Sequence, residues 1–328
     1  MSREVLERGV LQETVLRVED LRVYYNTPAG AVKAVDGITF TLRRGERFGL
    51  VGESGSGKST TALAIMRLIK PPGHIVGGRV QLGNQDLSTL SDDEFRRVRL
   101  AEIAMVPQGA MNSLNPVMRI KDQILDGIWA HESTTPRHEL NDRLPELLST
   151  VGLQPNVLNL FPHELSGGMK QRVCIAIGIS LQPKVIIADE PTSALDVVVQ
   201  RQIMSTLGAV QERLGASVIL VGHDMGLMAQ FVDRIGVMYG GRLVEVGPVR
   251  DIFKEPLHPY TQSLISSLPT LSSKEVSHGL PGSPPSLLSP PSGCVFHPRC
   301  SQVMSNCPLE VPDLREIRPG RWVSCHLY

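Results

Sequence analysis

The sequence of 328 residues has no net charge, no long apolar run and no apolar segment near its N-terminus. Its 33 basic residues balance 33 acidic ones, so composition gives no electrostatic basis for bulk binding of nucleic acid. No apolar run approaches the roughly 18 to 20 residues of a membrane span. The first residues, MSREVLERGVLQE, lack the apolar core of a signal peptide. We therefore expect a globular protein of the cytoplasm.

The most informative motif is GESGSGKS at residues 52–59, which matches the phosphate-binding pattern G-x-x-x-x-G-K-[ST]. The apolar run at residues 47–51 predicts a strand before it, and residues 60–68 predict a helix after it. Glycines let successive backbone N–H groups converge on an anion, and the helix N-terminus adds a positive dipole end. We therefore expect a polyphosphate site, in which Lys58 reaches the β- and γ-phosphates and the Ser59 hydroxyl binds Mg²⁺.

An acidic pair, Asp189 and Glu190, ends the apolar run at residues 184–190. Such a run predicts a buried parallel strand that delivers carboxylates at its C-terminal edge. Asp189 suits Mg²⁺, since hard cations prefer oxygen ligands. Glu190 points elsewhere, and we expect it to orient or deprotonate an attacking water molecule.

A second anion-binding helix start is predicted at Ser166 to Gly168, within LSGGMKQR at residues 165–172. With two half-sites for phosphate, the sequence resembles the ABC-type ATPases over roughly residues 16–270. In that family LSGG is the signature motif, and it engages the γ-phosphate of ATP held by the phosphate loop of a partner subunit.

The remaining landmarks of that family occur in order along the chain. Tyr25 matches the aromatic residue that stacks on adenine, with its neighbour Tyr24 as the second choice. Gln108 matches the glutamine of the Q-loop, and residues 193–196 match the D-loop. His223 follows a predicted strand and matches the switch histidine, which contacts the γ-phosphate.

The resemblance implies an α/β fold with a P-loop NTPase core of the ABC type, which is RecA-like. To this core it adds a helical subdomain, a β-rich N-terminal part and a small cysteine-containing C-terminal extension. We expect an N-terminal leader at residues 1–15, the nucleotide-binding domain at residues 16–270 and the extension at residues 271–328. The helical subdomain falls at about residues 93–179. Leucines at helical spacing within it predict a helix in which Pro145 lies near the start or at a kink.

Four of the five cysteines lie beyond residue 290, with the spacing C-x5-C-x6-C-x17-C. In a cytosolic protein such a cluster indicates a metal site and not disulfides. Coordination by four thiolates suits both Zn²⁺ and iron–sulfur clusters, and this spacing is standard for neither. The residues alone therefore leave zinc, a cluster and unligated thiols open.

A closer resemblance concerns the C-terminal part of the chain. Residues 255–264, the Pro- and Ser-rich residues 281–293 and the run GCVFHPRC at residues 293–300 resemble the C-terminal extension of oligopeptide/dipeptide-type importer ATPases. Several members of that group hold a [4Fe-4S] cluster on four such cysteines, so the resemblance implies the same cluster in this chain. His297 and His326 keep Zn²⁺ as an alternative.

The resemblance implies an ATPase subunit, a translocase that binds and hydrolyses ATP to power peptide import. Related importers carry nickel complexes or oligosaccharides, which stay open as cargo. The implied partners are a second ABC ATPase paired head to tail, two transmembrane permease subunits and an extracytoplasmic solute-binding protein, with no nucleic acid. The implied location is the cytoplasmic face of the cell membrane.

ABC ATPases that act outside transport are the alternative class. Members that act in DNA repair need long heptad arms, and translation factors carry two cores in one chain, and neither feature is present. An ATPase whose metal-cluster tail is regulatory stays open.

The candidate residues fall into four groups. The predicted catalytic residues are Lys58, Gln108, Glu190 and His223. The predicted nucleotide-binding residues are Tyr25, Gly52, Glu53, Ser54, Gly55, Ser56, Gly57, Lys58, Ser59, Thr60, Gln108, Ser166, Gly167, Gly168, Asp189, Glu190 and His223. The predicted Mg²⁺ ligands are Ser59, Gln108 and Asp189. The predicted cluster ligands are Cys294, Cys300, Cys307 and Cys325.

Overall fold

The computed structural model describes residues 13–109, 113–268 and 282–328. Most of the expected N-terminal leader and the start of the expected extension therefore lie outside the described residues. Among the described helices, none is long and apolar enough to cross a membrane.

The described strands and helices are numbered in chain order. The strands are β1 Thr14–Thr27, β2 Gly30–Arg43, β3 Arg47–Val51, β4 Gly73–Leu82, β5 Gln85–Asp86, β6 Ile103–Val106, β7 Val185–Asp189, β8 Ser217–Val221, β9 Arg234–Tyr239, β10 Arg242–Pro248, β11 Arg315–Arg318 and β12 Arg321–Val323. The α-helices are α1 Lys58–Ile65, α2 Asp92–Val98, α3 Ile120–Trp129, α4 Arg137–Thr150, α5 Gly167–Ile179, α6 Val197–Leu214, α7 Met225–Phe231, α8 Val249–Lys254 and α9 Pro259–Ser266. Short 3₁₀ helices cover Pro155–Asn159, Pro162–Glu164 and His297–Arg299.

The larger sheet has eight strands in the order β11-β12-β10-β9-β3-β8-β7-β6. Its pairs from β9 to β6 are parallel, and those from β9 to β11 are antiparallel. Every residue of β7 and β8 is buried, which explains their unbroken apolar sequences, because helices cover both faces of a parallel sheet. The predicted α/β class is confirmed.

The smaller sheet is antiparallel, with the order β2-β1-β4-β5. Along β1, alternate residues turn inward, and the side chains of Leu16, Val18, Leu21 and Val23 are buried. These side chains pack in one core cluster with Phe48 of β3 and with the apolar buried residues of α1, which are Ala62, Ala64 and Ile65. The smaller sheet therefore supports the helix that follows the phosphate loop.

The segment from α3 to α5 is largely helical, and the helix that its leucine spacing predicted is α4. Helix α4 extends through Pro145, which lies in its interior and not near its start. Leu140, Leu144 and Leu148 are buried one turn apart on the same face, and their packing outweighs the one backbone hydrogen bond that proline removes. Residues 93–179 also contain a strand, β6, which pairs in parallel with β7.

The C-terminal strands join the larger sheet through β10, where Glu245 is opposite Val323. Glu245 is fully buried and forms an ion pair with Arg321 at 2.7 Å. Its two carboxylate oxygens also accept hydrogen bonds from the backbone N–H groups of Leu257 and His258, both at 2.9 Å. The extension is thus joined to the core by a buried ion pair in which both oxygens of the Glu245 carboxylate accept hydrogen bonds.

Candidate nucleotide-binding site

The candidate site lies at the carboxyl edge of four adjacent parallel strands, β3, β8, β7 and β6. The phosphate loop follows β3, and His223 follows β8. Asp189 ends β7 with Glu190 after it, and Gln108 follows β6. Because the carboxyl ends of parallel strands meet at one edge, these separate motifs reach the same place.

The phosphate loop depends on glycine at two points. Gly52 has φ +149°, and a Cβ there would lie 2.1 Å from the Met238 carbonyl oxygen. Gly57 has φ +102°, and a Cβ there would lie 2.3 Å from the carbonyl oxygen of Ala34. The loop therefore packs backbone to backbone against β2 and β9, and side chains are excluded at both points.

Lys58 is buried, and its side chain folds back over the phosphate loop. Its Nζ donates hydrogen bonds to the carbonyl oxygens of Gly52 at 2.8 Å and Glu53 at 2.9 Å. It also lies 3.3 Å from Ser56 Oγ, which accepts a third bond. Burial lowers the pKa of Lys58, and the carboxylates of Glu190, Asp189 and Glu53 oppose that shift. The ammonium group is thus held at the centre of the loop.

Ser59 and Asp189 are joined directly, since the Ser59 hydroxyl donates to Asp189 Oδ1 at 2.9 Å. Asp189 is buried at the end of β7, and burial raises its pKa against the effect of the Ser59 hydrogen bond. A hydroxyl and a carboxylate at hydrogen-bond distance are the oxygen donors that Mg²⁺ prefers. Their donor chemistry therefore fits the predicted metal.

Glu190 lies between two other predicted residues. Gln108 Nε2 donates to Glu190 Oε2 at 2.8 Å, and His223 Nδ1 lies 3.4 Å from Glu190 Oε1. Glu190 has φ +42°, a strained value for a residue with a side chain, and its N–H donates to the Val221 carbonyl oxygen at 2.9 Å. The described contacts of the Glu190 carboxylate are therefore with Gln108 and His223, whereas the Asp189 carboxylate contacts Ser59. Gln108 is also a predicted Mg²⁺ ligand, and its side chain here contacts Glu190. Its role as a ligand stays a prediction.

The signature residues lie at the start of α5. Ser166 is the N-cap, and its Oγ accepts a hydrogen bond from Met169 N at 3.3 Å. At Gly168 a Cβ would lie 2.6 Å from Val199 Cγ1, so this glycine lets α5 pack closely on α6. Helix α6 is capped in turn by Asp196, whose Oδ1 accepts from two backbone N–H groups at 3.0 Å. The described contacts of Ser166 and Gly168 are with these helices, not with the chain's own phosphate loop.

The two candidate adenine-stacking residues differ in their surroundings. The Tyr24 hydroxyl donates to Asp36 Oδ1 at 2.8 Å, and the Lys33 ammonium lies 5.8 Å from the Tyr24 ring centroid. Tyr25 is half-buried, and its ring lies against the backbone of Gly73. Adenine stacking by Tyr25 stays a prediction.

Sequence reasoning missed two residues that contact the phosphate loop, Arg299 and Tyr260, and a third, Tyr239, that contacts Arg299. The Arg299 guanidinium forms an ion pair with the Glu53 carboxylate at 2.8 Å. The Tyr260 hydroxyl accepts a hydrogen bond from Glu53 N at 2.9 Å, and the Tyr239 hydroxyl accepts from Arg299 at 3.1 Å. Arg299 directly precedes Cys300 in the sequence, but nothing local indicates a partner 246 residues away.

The four C-terminal cysteines are reduced, and Cys294, Cys307 and Cys325 are buried. Burial raises the pKa of Cys294 and Cys300, and it raises that of Cys325 to about 11; the other thiols of the group add to the shift in each case. Backbone N–H groups of Gln302 and Met304 lie 3.4 Å from the Cys300 and Cys307 sulfurs.

The structure does not support the predicted metal cluster on these thiols. Across residues 13–109, 113–268 and 282–328, no three His, Cys, Asp or Glu side chains are grouped so that they could hold a metal ion. The two histidines proposed as zinc ligands have other partners. His297 Nδ1 lies 2.9 Å from the Cys294 carbonyl oxygen, and His326 Nε2 lies 3.0 Å from that of Glu310.

Comparison with known families gives two matches along the chain. The family described as ABC transporter matches residues 35–193. The family described as oligopeptide/dipeptide transporter, C-terminal region, matches residues 244–307. The two matches cover the phosphate loop, the signature motif, Asp189 and Glu190, and three of the four C-terminal cysteines.

Curated relatives match over nearly the whole chain. The dipeptide transport ATP-binding protein DppD of Caldanaerobacter subterraneus is 44% identical over 316 residues, which are 96% of this chain and 97% of that protein. The oligopeptide transport ATP-binding protein OppD of Escherichia coli is 40% identical over 316 residues, 95% of this chain and 93% of that protein.

Solved structures of ATP-binding cassettes share the fold. A dimeric post-hydrolysis state of the cassette MJ0796, bound to ADP and Pi, aligns with a TM-score of 0.64 and 29% identity. The alignment covers 72% of this chain and 99% of that one. CbiO1 from Clostridium perfringens, part of the transporter complex cbiONQ, aligns with a TM-score of 0.62 and 28% identity, over 74% and 92% of the two chains.

Proposed function

The chain belongs to the ABC transporter family, in its oligopeptide/dipeptide branch, and from this premise we propose that it binds and hydrolyses ATP to power peptide import. One observation carries the proposal: the ends of four parallel strands bring the separate motifs together at one edge of the sheet. There the phosphate loop lies beside the Ser59–Asp189 pair, and the Glu190 carboxylate contacts the Gln108 amide and the His223 imidazole. Phosphoryl transfer to water requires such parts, because its catalysis is mostly positioning and charge stabilisation.

In this proposal Lys58 and the loop N–H groups hold the β- and γ-phosphates of ATP. Ser59 and Asp189 hold Mg²⁺, with Gln108 as a third ligand once nucleotide is bound. Bound Mg²⁺ would neutralise charge that develops on the phosphate oxygens. The Ser59 hydroxyl and the Asp189 carboxylate already lie 2.9 Å apart, which supports their sharing one cation.

Glu190 orients or deprotonates the attacking water in the proposed reaction. The hydrogen bond from Gln108 and the strained backbone fix where its carboxylate lies. His223 contacts the γ-phosphate, and its side chain is 69% exposed at this edge, so it has room to do so.

The proposed working unit is a head-to-tail pair of ATPases in which Ser166, Gly167 and Gly168 of one subunit meet ATP held by the other. Two observations support it. The start of α5 offers backbone N–H groups and a positive dipole end to an anion. Its described contacts do not include the chain's own phosphate loop. The related cassette MJ0796 was solved as a dimer.

We further propose that the pair is formed with a related second ATPase. It would bind two transmembrane permease subunits at the cytoplasmic face of the cell membrane and receive peptides through an extracytoplasmic solute-binding protein. Within it we propose the division of the chain into residues 16–270, with helices concentrated in residues 93–179, and an extension from residue 271. The names of the relatives, dipeptide and oligopeptide transport ATP-binding proteins, support this assembly.

A [4Fe-4S] cluster on the four C-terminal cysteines, with Zn²⁺ as the alternative, stays a prediction. It rests on the resemblance of residues 293–300 to the C-terminal extension of oligopeptide/dipeptide-type importer ATPases, since the described side chains form no group that could hold a metal ion. Thiols with raised pKa values are protonated at neutral pH, so metal binding would have to release those protons. No step of the proposed reaction passes through this site.

The substrate class is tested through the proposed solute-binding protein, which is sought among the genes that neighbour the one for this chain. Its purified form should bind di- or oligopeptides, and it should copurify ligand that mass spectrometry identifies as peptide. A preference for nickel complexes or oligosaccharides would replace peptide as the cargo while leaving the ATPase assignment intact.

A further inference from the structure

Glu53, the second residue of the phosphate loop, has all three of its polar groups bonded. Its N–H donates to the Tyr260 hydroxyl at 2.9 Å, and its carbonyl oxygen accepts from Lys58 Nζ at 2.9 Å. Its carboxylate accepts two bonds from Arg299, at 2.8 and 3.1 Å. Glu53 therefore connects the loop lysine with two residues from the last 70 positions of the chain.

The Arg299–Glu53 pair has the geometry of a strong interaction. Its two parallel bonds match the planar guanidinium to the carboxylate, which adds directional constraint to charge attraction. The Arg299 side chain is only 7% exposed and that of Glu53 22%, so solvent screens the pair less than an exposed one. The Arg299 guanidinium also lies over the Tyr239 ring, 5.7 Å from its centroid.

Arg299 is itself held in place by the packing of the extension. It ends the 3₁₀ helix His297–Arg299, which lies between Cys294 and Cys300. Just before this helix, Phe296 packs edge-on against Tyr239 and Tyr260, with ring centroids 5.1 and 5.5 Å apart. The guanidinium therefore reaches Glu53 from a rigid base.

We propose that Arg299 is a positioning residue for nucleotide binding, through which the cysteine-containing extension holds the phosphate loop in its binding conformation. The inference rests on the proposed function, because it assigns a role within the ATP site. The physical reason is the short path from Arg299 to Lys58. The Glu53 carbonyl oxygen orients the Lys58 ammonium group, so a shift of Glu53 moves that group as well. Loss of the Arg299 contact frees the Glu53 carboxylate and therefore loosens the phosphate loop.

The pair also gives the extension an influence on the nucleotide site that the motifs alone do not indicate. Nothing in the phosphate-binding pattern requires glutamate at its second position, because that position is variable. A structural change at Cys300, the next residue after Arg299, would therefore alter nucleotide affinity through this contact.

The test uses the purified full chain and a fluorescent ATP analogue in the presence of Mg²⁺. The variants are Arg299→Gln, Glu53→Gln, the double variant and Arg299→Lys. Arg318→Gln is the matched control. Arg318 belongs to the same extension and forms a bidentate pair with Glu255 of the core, away from the phosphate loop. Thermal unfolding without nucleotide is measured for every variant, and Lys58→Ala checks that the analogue occupies the phosphate loop.

We expect Arg299→Gln and Glu53→Gln each to raise the Kd by about five- to twentyfold, as the loss of a charge-assisted pair predicts. The double variant should be no weaker than either single one, because both remove the same interaction. Arg299→Lys should recover part of the affinity, and Arg318→Gln should leave the Kd within about twofold.

Three results would overturn the inference. These are a Kd within twofold of the wild type for both single variants, additive effects in the double variant, or lowered melting temperatures with unchanged affinity of the folded protein. If Arg299→Gln fails to fold, the Kd values of Glu53→Gln and Arg299→Lys still test whether the pair positions the phosphate loop. Failure of the proposed function would look different, since the unmodified chain would then not bind the analogue or Lys58→Ala would bind it normally.

Discussion

The Ser59 hydroxyl donates a hydrogen bond to Asp189 Oδ1 at 2.9 Å, although 130 residues separate the two. This bond joins the first turn of α1 to the end of β7 and so unites the phosphate loop with the acidic pair. Both residues are fixed by their elements, because Asp189 ends a buried strand and Ser59 lies in the first turn of α1. The proposed ATP site therefore rests on rigid parts of the fold.

The first prediction concerns Glu190. Glu190→Gln should leave ATP binding intact and slow hydrolysis by roughly 10²–10⁴-fold, the usual contribution of a general base. Glutamine keeps the size of the side chain and an oxygen that can accept from Gln108 Nε2. The measurement is single-turnover hydrolysis beside nucleotide binding in the purified transporter. Near-normal turnover would remove Glu190 from the proposed role.

The second prediction concerns the signature loop. Ser166→Arg puts a bulky cation at a helix start proposed to meet phosphate across the subunit interface. ATP hydrolysis by the assembled transporter should fall at least tenfold, since a hydrogen bond to a charged group contributes ~1.5–3 kcal/mol. Nucleotide binding by the single chain should survive.

Ser91→Arg is the matched control for that variant. Ser91 is the N-cap of α2, and its Oγ accepts a backbone hydrogen bond at 3.3 Å, the same length as at Ser166. It should show the cost of losing a serine cap without the loss of hydrolysis. If Ser166→Arg instead abolished binding by the single chain, the head-to-tail pairing would be wrong.

The third prediction concerns pH. His258 is 1% exposed, and its Nδ1 accepts a hydrogen bond from Tyr260 N at 3.0 Å as the cap of α9. Burial lowers the pKa of His258 to about 3 from its ordinary value of 6.5. Since the unfolded chain takes up this proton first, the folded state loses stability as pH falls from 6.5 towards 3. The loss at pH 5 is about 2 kcal/mol.

His258→Asn isolates this effect, because asparagine can cap the helix but does not titrate. Urea unfolding of both proteins at pH 7 and pH 5 measures it. Any packing defect in the variant lowers its free energy of unfolding equally at pH 7 and at pH 5. Between pH 7 and pH 5 the free energy of unfolding of the variant should therefore fall by about 2 kcal/mol less than that of the wild type. Equal losses would show that His258 is protonated in the folded protein.

The fourth prediction concerns the C-terminal cysteines. Protein purified without oxygen should be brown and carry about four irons per chain, the stoichiometry of a [4Fe-4S] cluster on four cysteines. Replacing Cys294, Cys300, Cys307 or Cys325 with serine should lower the iron content and expose the extension to protease. Metal analysis decides, since stoichiometric zinc would indicate a zinc site and the absence of both metals would leave structural thiols.

Much of the nucleotide site could be predicted because its signals are local. Strand β3 has the bounds that its apolar run predicted, a strand precedes His223 as predicted, and α1 begins two residues earlier than predicted, at Lys58. A strand, a glycine-rich loop and a helix are encoded in consecutive residues. Asp189 followed from the expectation that a buried parallel strand delivers carboxylates at its C-terminal edge, whereas Gln108 and His223 came from the resemblance to the ABC-type ATPases.

Other features depend on contacts that sequence patterns do not record. The helix through Pro145 persists because Leu140, Leu144 and Leu148 pack into the core, which local propensity does not register. The Arg299–Glu53 pair joins residues 246 positions apart, and neither residue belongs to a periodic pattern. The cysteine-containing extension carries none of the nucleotide motifs, but this pair brings it into direct contact with the phosphate loop.

The most direct test of the proposed function is ATP-driven accumulation of peptide. The transporter is assembled in vesicles from this chain, its second ATPase and the two permease subunits, with the solute-binding protein on one side and ATP on the other. Labelled peptide should accumulate against its gradient, and Lys58→Ala should slow this by roughly 10²-fold or more, as removal of a pre-positioned charge on the phosphates predicts. Accumulation that is unchanged by Lys58→Ala would contradict the proposal that ATP held by this phosphate loop powers peptide import.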